Sequence, residues 1–239
     1  MKSIENKVAL VTGGSKGIGF GIAQSMLQEG MNVALTGRSP EALQAAADDL
    51  KKVGAGQVLT VVADVRNLED MQHAVLQTTD AFGKLDVLIA NAGVGHFGSI
   101  EDLTVEQWNE TIDINLTGVF NSVKASLNDL KNTEGYVITI GSLAGTNFFA
   151  GGSAYNASKF GLAGFTQAMM LDVRHHGINV STIMPGSVTS HFNNHTPNEA
   201  DAWKIQPEDI GELVVDLLKL DARTLPSKIE VRPSRPPKK

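Results

Sequence analysis

The sequence has no cysteine. Disulfide frameworks, thiol nucleophiles and cysteine-ligated metals are therefore excluded, and the composition suits a reducing compartment. An excess of positive charge is also missing. The 20 Lys and Arg stand against 26 Asp and Glu, for a net charge of -6. A general nucleic-acid partner is disfavoured, because neutralising phosphates needs a basic face. Long apolar runs are absent as well. The opening MKSIENKVALVTGG has no hydrophobic stretch of signal length before its first glycines. No segment reaches the roughly 18 uninterrupted apolar residues of a membrane span. The expectation is a soluble, cytoplasmic protein that does not associate with membranes.

What is present is an alternation of short apolar runs and helical patterns. The runs are Lys7 to Thr12, Asn32 to Gly37, Val58 to Ala63, Leu85 to Ala90, Gly135 to Gly141, Ile178 to Met184 and Lys228 to Val231. Between them lie helical patterns. Ser39 and Pro40 read as N-cap and first residue of a helix through Lys52, and Pro207 opens one to Leu220. A single long pattern begins at Thr104, with Gln107 completing a capping box, and reaches Leu130. The alternation predicts an α/β class, a doubly wound parallel sheet with helices on both faces, in a single domain over 1–231. Right-handed crossovers would then gather every strand's carboxyl end along one edge.

The turn after the first run reads Gly13-Gly-Ser15-Lys16-Gly17-Ile18-Gly19. Strand, glycine turn and helix form the context in which glycines let a backbone approach a pyrophosphate. The helix N-terminus adds free N–H groups and a positive dipole end. A tight turn without a ligand is the plainer alternative. The second run ends at Gly37-Arg38, with no acid placed to hold a ribose 2'-hydroxyl. Arg38 instead suits a 2'-phosphate, and Lys16 can join it, so NADP(H) is the expected cofactor. Asp64 can accept from an adenine amino group, with Val65 on the ring edge, or cap the next loop, and the two roles can coexist. Asn91, Ala92 and Gly93 close the fourth run, where the small pair admits a ribose.

Ser153 opens a helix through His175, and Tyr155 and Lys159 are four residues apart on it. That spacing stacks them on one face. A phenol titrates near about 10, and a neighbouring ammonium favours its ionised form. Alone, such a pair is as readily surface decoration. Ser142 lies just past the fifth strand. Asn115 sits inside a helical pattern, which makes it either a satisfied buried amide or a deliberate kink that binds water. The polar stretch 187–206 lacks periodicity. His191 and His195 within it are four apart, but no third ligand accompanies them, and no metal is expected. The tail 232–239 carries three prolines and four cations and reads as a solvated extension without fixed structure.

Thr12-Gly-Gly-Ser-Lys-Gly17-Ile-Gly19, Asn91-Ala-Gly93, Asn115, Ser142, Tyr155-x-x-x-Lys159 and Pro185-Gly186 together resemble the short-chain dehydrogenase/reductase family. The likeness covers almost the whole chain, to Val231. It implies a Rossmann sheet of about seven strands in the order 3-2-1-4-5-6-7. It further implies hydride transfer between a nicotinamide and a carbonyl or alcohol. In that scheme Tyr155 donates the proton, and Lys159 lowers its pKa and holds the ribose. Ser142 binds the substrate oxygen, and Asn115 links Lys159 to a proton relay through its backbone and a water. Pro185, Gly186, Val188 and Ser190 would face the carboxamide, Ser190 standing where the family often has Thr. The segment 187–206 matches the family's substrate lid. His96, Phe97, Phe148, Phe149, Phe192 and Trp203 are candidates to line a pocket for a small ketone or aldehyde. Reductases of 3-oxoacyl carrier proteins share this layout, although this chain lacks their glycine-rich ending. An oxidative alcohol, sugar or hydroxysteroid dehydrogenase and a non-catalytic NADP-binding regulator remain the alternatives. A homotetramer or homodimer through helices around 104–130 and 153–175 is also implied.

Overall fold

A computed structural model describes residues 2–190, 192, 195–221 and 223–237. Seven strands form one parallel sheet in the order β3-β2-β1-β4-β5-β6-β7. They are β1 (Val8–Thr12), β2 (Asn32–Gly37), β3 (Val58–Val62), β4 (Val87–Ala90), β5 (Tyr136–Ile140), β6 (Asn179–Pro185) and β7 (Lys228–Val231). Every residue of β1 and β5 is buried, whereas β7, at the edge, is buried nowhere.

The helices α1 (Gly17–Gln28), α2 (Pro40–Leu50) and α7 (Pro207–Lys219) cover one face. The other face packs under α3 (Leu68–Phe82), α5 (Gly118–Thr133) and α6 (Ser153–Val173). Strand residues alternate between two apolar cores: Ala9 and Val11 point to the first, and Leu10 points to the second. Parallel strands covered on both faces need apolar side chains at every position, which explains the continuous runs in the sequence.

Local caps set the helix ends. The Ser39 hydroxyl accepts from the Ala42 N–H, and Thr104 and Gln107 form a reciprocal capping box at α4 (Val105–Ile112). The long helix expected from Thr104 to Leu130 is not one regular helix. A π-helical turn, Asp113–Thr117, separates α4 from α5. Such a turn inserts an extra residue, and here that residue set includes the buried Asn115, held by groups outside the helix. Among the described residues, no helix is long and apolar enough to cross a membrane.

Candidate active site

The order of strands reverses between β1 and β4, and the parallel arrangement opens a crevice at their carboxyl ends. Gly13 and Gly17 adopt positive φ, +64° and +58°, so the turn between β1 and α1 needs glycine there. At Gly19 the reason differs. A Cβ would stand 2.5 Å from both the Gly13 carbonyl oxygen and Asn91 Nδ2. Around Gly17 only Ser190 Cβ comes near, at 3.4 Å, so that position opens outward. Lys16 is the N-cap of α1 and offers no side-chain cap, leaving the first-turn N–H groups of α1 unsatisfied by it. Ser15 is half-buried beside it, and Ile18 packs its side chain on the core.

Asn91 braces this turn. Its Nδ2 donates to the carbonyls of Thr12 and Gly13 at 2.9 and 3.0 Å. Thr12 Oγ1 in turn accepts from the N–H groups of Asn91 and Ala92. The Asn91 amide is thereby occupied with the protein's own backbone. Arg38 and Lys16 are both exposed at the crevice. The charge of Arg38 reaches Asp64, whose carboxyl is held below the usual range mainly by the Arg66 guanidinium. Both Asp64 oxygens accept from Arg66, and Oδ1 also accepts from the Arg66 backbone N–H. Asp64 thus caps its own loop, a role that can coexist with a contact to an adenine amino group. Val65 is buried in the second core, where a Cβ on Gly118 would collide with it.

Lys159 is buried, and its Nζ donates to the Ile140 carbonyl at 3.0 Å. Loss of hydration pushes its pKa down to about 8. The ammonium lies 5.8 Å from the centre of the Tyr155 ring. Burial raises the Tyr155 phenol above its ordinary value, and the adjacent Ser142 hydroxyl pulls it partly back. In this arrangement desolvation is the largest influence on the phenol, and the neighbour acting against it is Ser142. Ser142 itself caps a short turn, its Oγ accepting from the Ala144 N–H at 3.1 Å.

Asn115 is fully buried, and its side chain is used on every side. Oδ1 accepts from the Val94 N–H, while Nδ2 donates to the Val94 carbonyl at 2.8 Å and to Ser158 Oγ at 3.0 Å. It ties the chain after Gly93 to the helix of Tyr155. A Cβ on Gly93 would lie 3.8 Å from Lys159 Nζ, so the glycine opens space beside the ammonium.

Asn156 has a part that its sequence neighbourhood did not reveal. Its Nδ2 donates to the carbonyls of Ala144 and Asn147 at 2.7 and 2.8 Å. The loop beyond Ser142 is thereby pinned to α6. Next to it, Phe97 and Phe192 pack against Tyr155, with the Phe97 and Tyr155 ring centres 5.3 Å apart, and Phe149 packs on Phe97. Phe148 does not join them. It is 87% exposed and lines nothing. His96 pairs with Glu110 at 2.8 Å.

A cleft of about 520 Å3 opens in front of Tyr155 and Ser142, with Gly186 and Trp203 on its lining. Val188 bridges to Ile205, and Thr189 bonds the same residue, which holds the base of the 187–206 segment together. Asp201 fastens its far part by accepting from Lys204, His195 and the Asn198 N–H. His191 lies outside the described residues. Among the described residues no group of three or more His, Asp or Glu is placed to hold a metal.

The tail is the plain surprise. Arg232, Pro233 and Pro236 line the cleft, although the tail over 232–237 has no regular secondary structure and is exposed except at the half-buried Pro233. The signal lay in the topology. A last parallel strand delivers whatever follows it to the same edge as the others.

A family model described as short chain dehydrogenase matches residues 7–201. An uncharacterized oxidoreductase of Staphylococcus saprophyticus is 31% identical over 98% of this chain and 100% of its own length. A 3-oxoacyl-[acyl-carrier-protein] reductase of Vibrio cholerae is 37% identical over 78% of this chain and 75% of that protein. Among solved structures, an alcohol dehydrogenase from Thermococcus sibiricus, complexed with 5-hydroxy-NADP, superimposes with a TM-score of 0.91. It is 29% identical and covers 98% of this chain and 99% of that one. A short chain dehydrogenase from Burkholderia cenocepacia in complex with NADP gives a TM-score of 0.87 at 30% identity, covering 97% of this chain and 98% of that one.

Proposed function

The chain belongs to the short-chain dehydrogenase family and is an oxidoreductase, and from that premise we propose an NADPH-dependent reduction of a ketone or aldehyde. The observation that carries the reading is the placement of Tyr155 and Ser142 side by side on one cleft, with the buried Lys159 on the same helix as Tyr155. A phenol hydroxyl placed there can give a proton to a substrate oxygen in reduction. The same residues run the reaction in reverse, so the reductive direction is proposed from the cations suited to NADPH, Lys16 and Arg38.

The donor set suits NADP(H). The glycine turn with its outward-open Gly17 and the first turn of α1 receive a pyrophosphate, and exposed Lys16 and Arg38 receive a 2'-phosphate. Bound there, the cofactor supplies the hydride. Lys159 has three N–H donors and uses one on Ile140, so the others are free for ribose hydroxyls. Tyr155 donates its proton to the substrate oxygen as negative charge develops on it. Ser142 donates a hydrogen bond to the same oxygen and stabilises that charge in place. With the Asn115 side chain taken by Val94 and Ser158, any relay through this residue runs by its main chain. Phe97 and Phe192 exclude water around the phenol. The 187–206 segment serves as the substrate lid.

Self-association completes the reading. Trp108, Phe120, Phe160 and Leu171 are exposed on α4, α5 and α6. A groove lined by Phe120, Leu127, Phe165 and Met169 runs between α5 and α6. A second copy of the chain on this face gives the homodimer or homotetramer, and light scattering on Phe120→Glu tests it by the expected loss of mass.

The test of the cofactor reading is thermal denaturation with each nucleotide. NADPH is expected to raise the melting temperature more than NADH does, and Arg38→Ala to narrow the gap. Equal shifts in the unmodified protein would overturn the role given to Arg38.

A further inference from the structure

β7 runs parallel to β6, so its carboxyl end emerges at the edge that carries Tyr155. The ladder continues past the strand, where the Gly186 N–H donates to the Val231 carbonyl at 2.8 Å. Arg232 follows immediately and has no length of chain with which to leave that edge. Pro233 restricts Arg232 to an extended backbone and fixes its own φ. Its Cδ sits 3.4 Å from where a Cβ on Gly186 would be. Pro236 lines the cleft further along.

The rest of the cleft lining is uncharged. Leu143, Ala144, Phe149 and Trp203 are apolar, and Asn147 and Ser187 are neutral. Among the described residues that line it, Arg232 is the single charged side chain. Its Nη2 donates to Glu230 at 2.8 Å, and Glu230 also accepts from Thr146 Oγ1 at 3.3 Å. The ion pair is well exposed to solvent, and such pairs contribute little. A guanidinium has five donors in a planar fork. One bond to Glu230 leaves most of that fork for a carboxylate arriving through the cleft.

We propose that Arg232 is a specificity-determining residue that selects carbonyl substrates bearing a carboxylate, and that Pro233 and Pro236 form the stiff wall that fixes where this group sits. The inference rests on the reductase reading above. It is tested by kcat/KM with NADPH for a panel of oxo acids and their methyl esters. The acids are expected to be preferred by the unmodified protein. The acid-to-ester ratio is expected to fall about 10- to 100-fold in Arg232→Gln, the loss of a charge-assisted bond. Arg232→Lys, which keeps charge and loses the fork, is expected between the two. Retained stabilisation by NADPH shows that the variants are folded. Turnover of both classes with the same ratio in all three proteins would overturn this inference and leave the reductase reading standing. No turnover of any carbonyl, with no stabilisation by NADPH, would overturn both.

Discussion

At the nucleotide end of the cleft, the chain turns on glycines whose absent side chains are already replaced by neighbouring backbone. A Cβ at Gly19 meets Gly13 and Asn91 at 2.5 Å, and Asn91 in turn bonds Thr12 and Gly13. At the substrate end, a comparable interlock ties the loop after β5 to α6, through Asn156 and the close approach of Gly145 to the Lys159 carbonyl, but it fixes one part of the wall. Four separate segments meet there: the loop after β5, the segment after β6, the tail after β7 and the start of α6. The first end is built by local backbone geometry, which a short motif encodes. The second is built by side chains that come together only when the whole sheet has formed. A phosphate-binding turn must be nearly the same wherever it occurs, whereas a substrate wall is free to differ.

Tyr155→Phe sharpens this contrast most. Removing the proton donor is expected to lower kcat by about 10^3-fold, while NADPH still raises the melting temperature. Loss of both would show that the two ends are not separable.

Lys159 links them, and its variant has two readouts. Burial depresses its pKa from 10.5 to about 8, so the unfolded chain keeps its proton to higher pH than the folded one. Stability therefore rises as pH climbs from about 8 towards 10.5 and is lowest below that window. The shift corresponds to about 3 kcal/mol at most, at roughly 1.4 kcal/mol per pH unit. Lys159→Met is expected to be inactive, yet to melt roughly 5 °C higher at pH 7 and to lose this pH dependence. A lower melting temperature at pH 7 would mean the ammonium is better satisfied than its bond to Ile140 indicates.

The two glycines offer a smaller test. Gly19→Ala, which drives a methyl into backbone, is expected to lose more than 2 kcal/mol in denaturant titration, given overpacking costs of about 1–3 kcal/mol plus a broken brace. Gly17→Ala strains a positive φ in open space and is expected to cost only about 1 kcal/mol, with nucleotide affinity falling more than stability. Equal destabilisation would erase the distinction between a packing glycine and a ligand-facing one. An effect of similar size is expected at Asn156→Ala. Two carbonyls lose their donor, at about 1–2 kcal/mol, and kcat falls severalfold as Ser142 loses its support.

The same contrast governs what could be read from the sequence. The strands of the sheet, the Ser39 cap and the Thr104–Gln107 box were legible because neighbouring residues specify them. Tyr155, Lys159 and Ser142 were legible because they fall on one helix face or at a strand end, and Asn115 because it interrupts a helical pattern; the structure brings them to one side of the sheet edge. Asn115 announced a disturbance but not its form, since a π turn depends on the Val94 backbone lying beside it. Phe148 and Phe149 look alike in sequence, and only the path of the loop sends one outward and one onto Phe97 at the cleft. The place of Arg232 on the cleft was not legible from composition, because it depends on the direction of the strand before it.

The segment 187–206 is fastened where it begins and where it ends. Gly21 and Gly211 let α1 and α7 approach so closely that a Cβ at Gly21 would stand 2.6 Å from the Pro207 backbone. Its outgoing end is therefore clamped to α1, and its incoming end is clamped to Val231 through Gly186. Fastening both ends of a segment removes part of its freedom before anything binds. In the lid role proposed for it, closing over a substrate would then cost less entropy than for a freely hung loop.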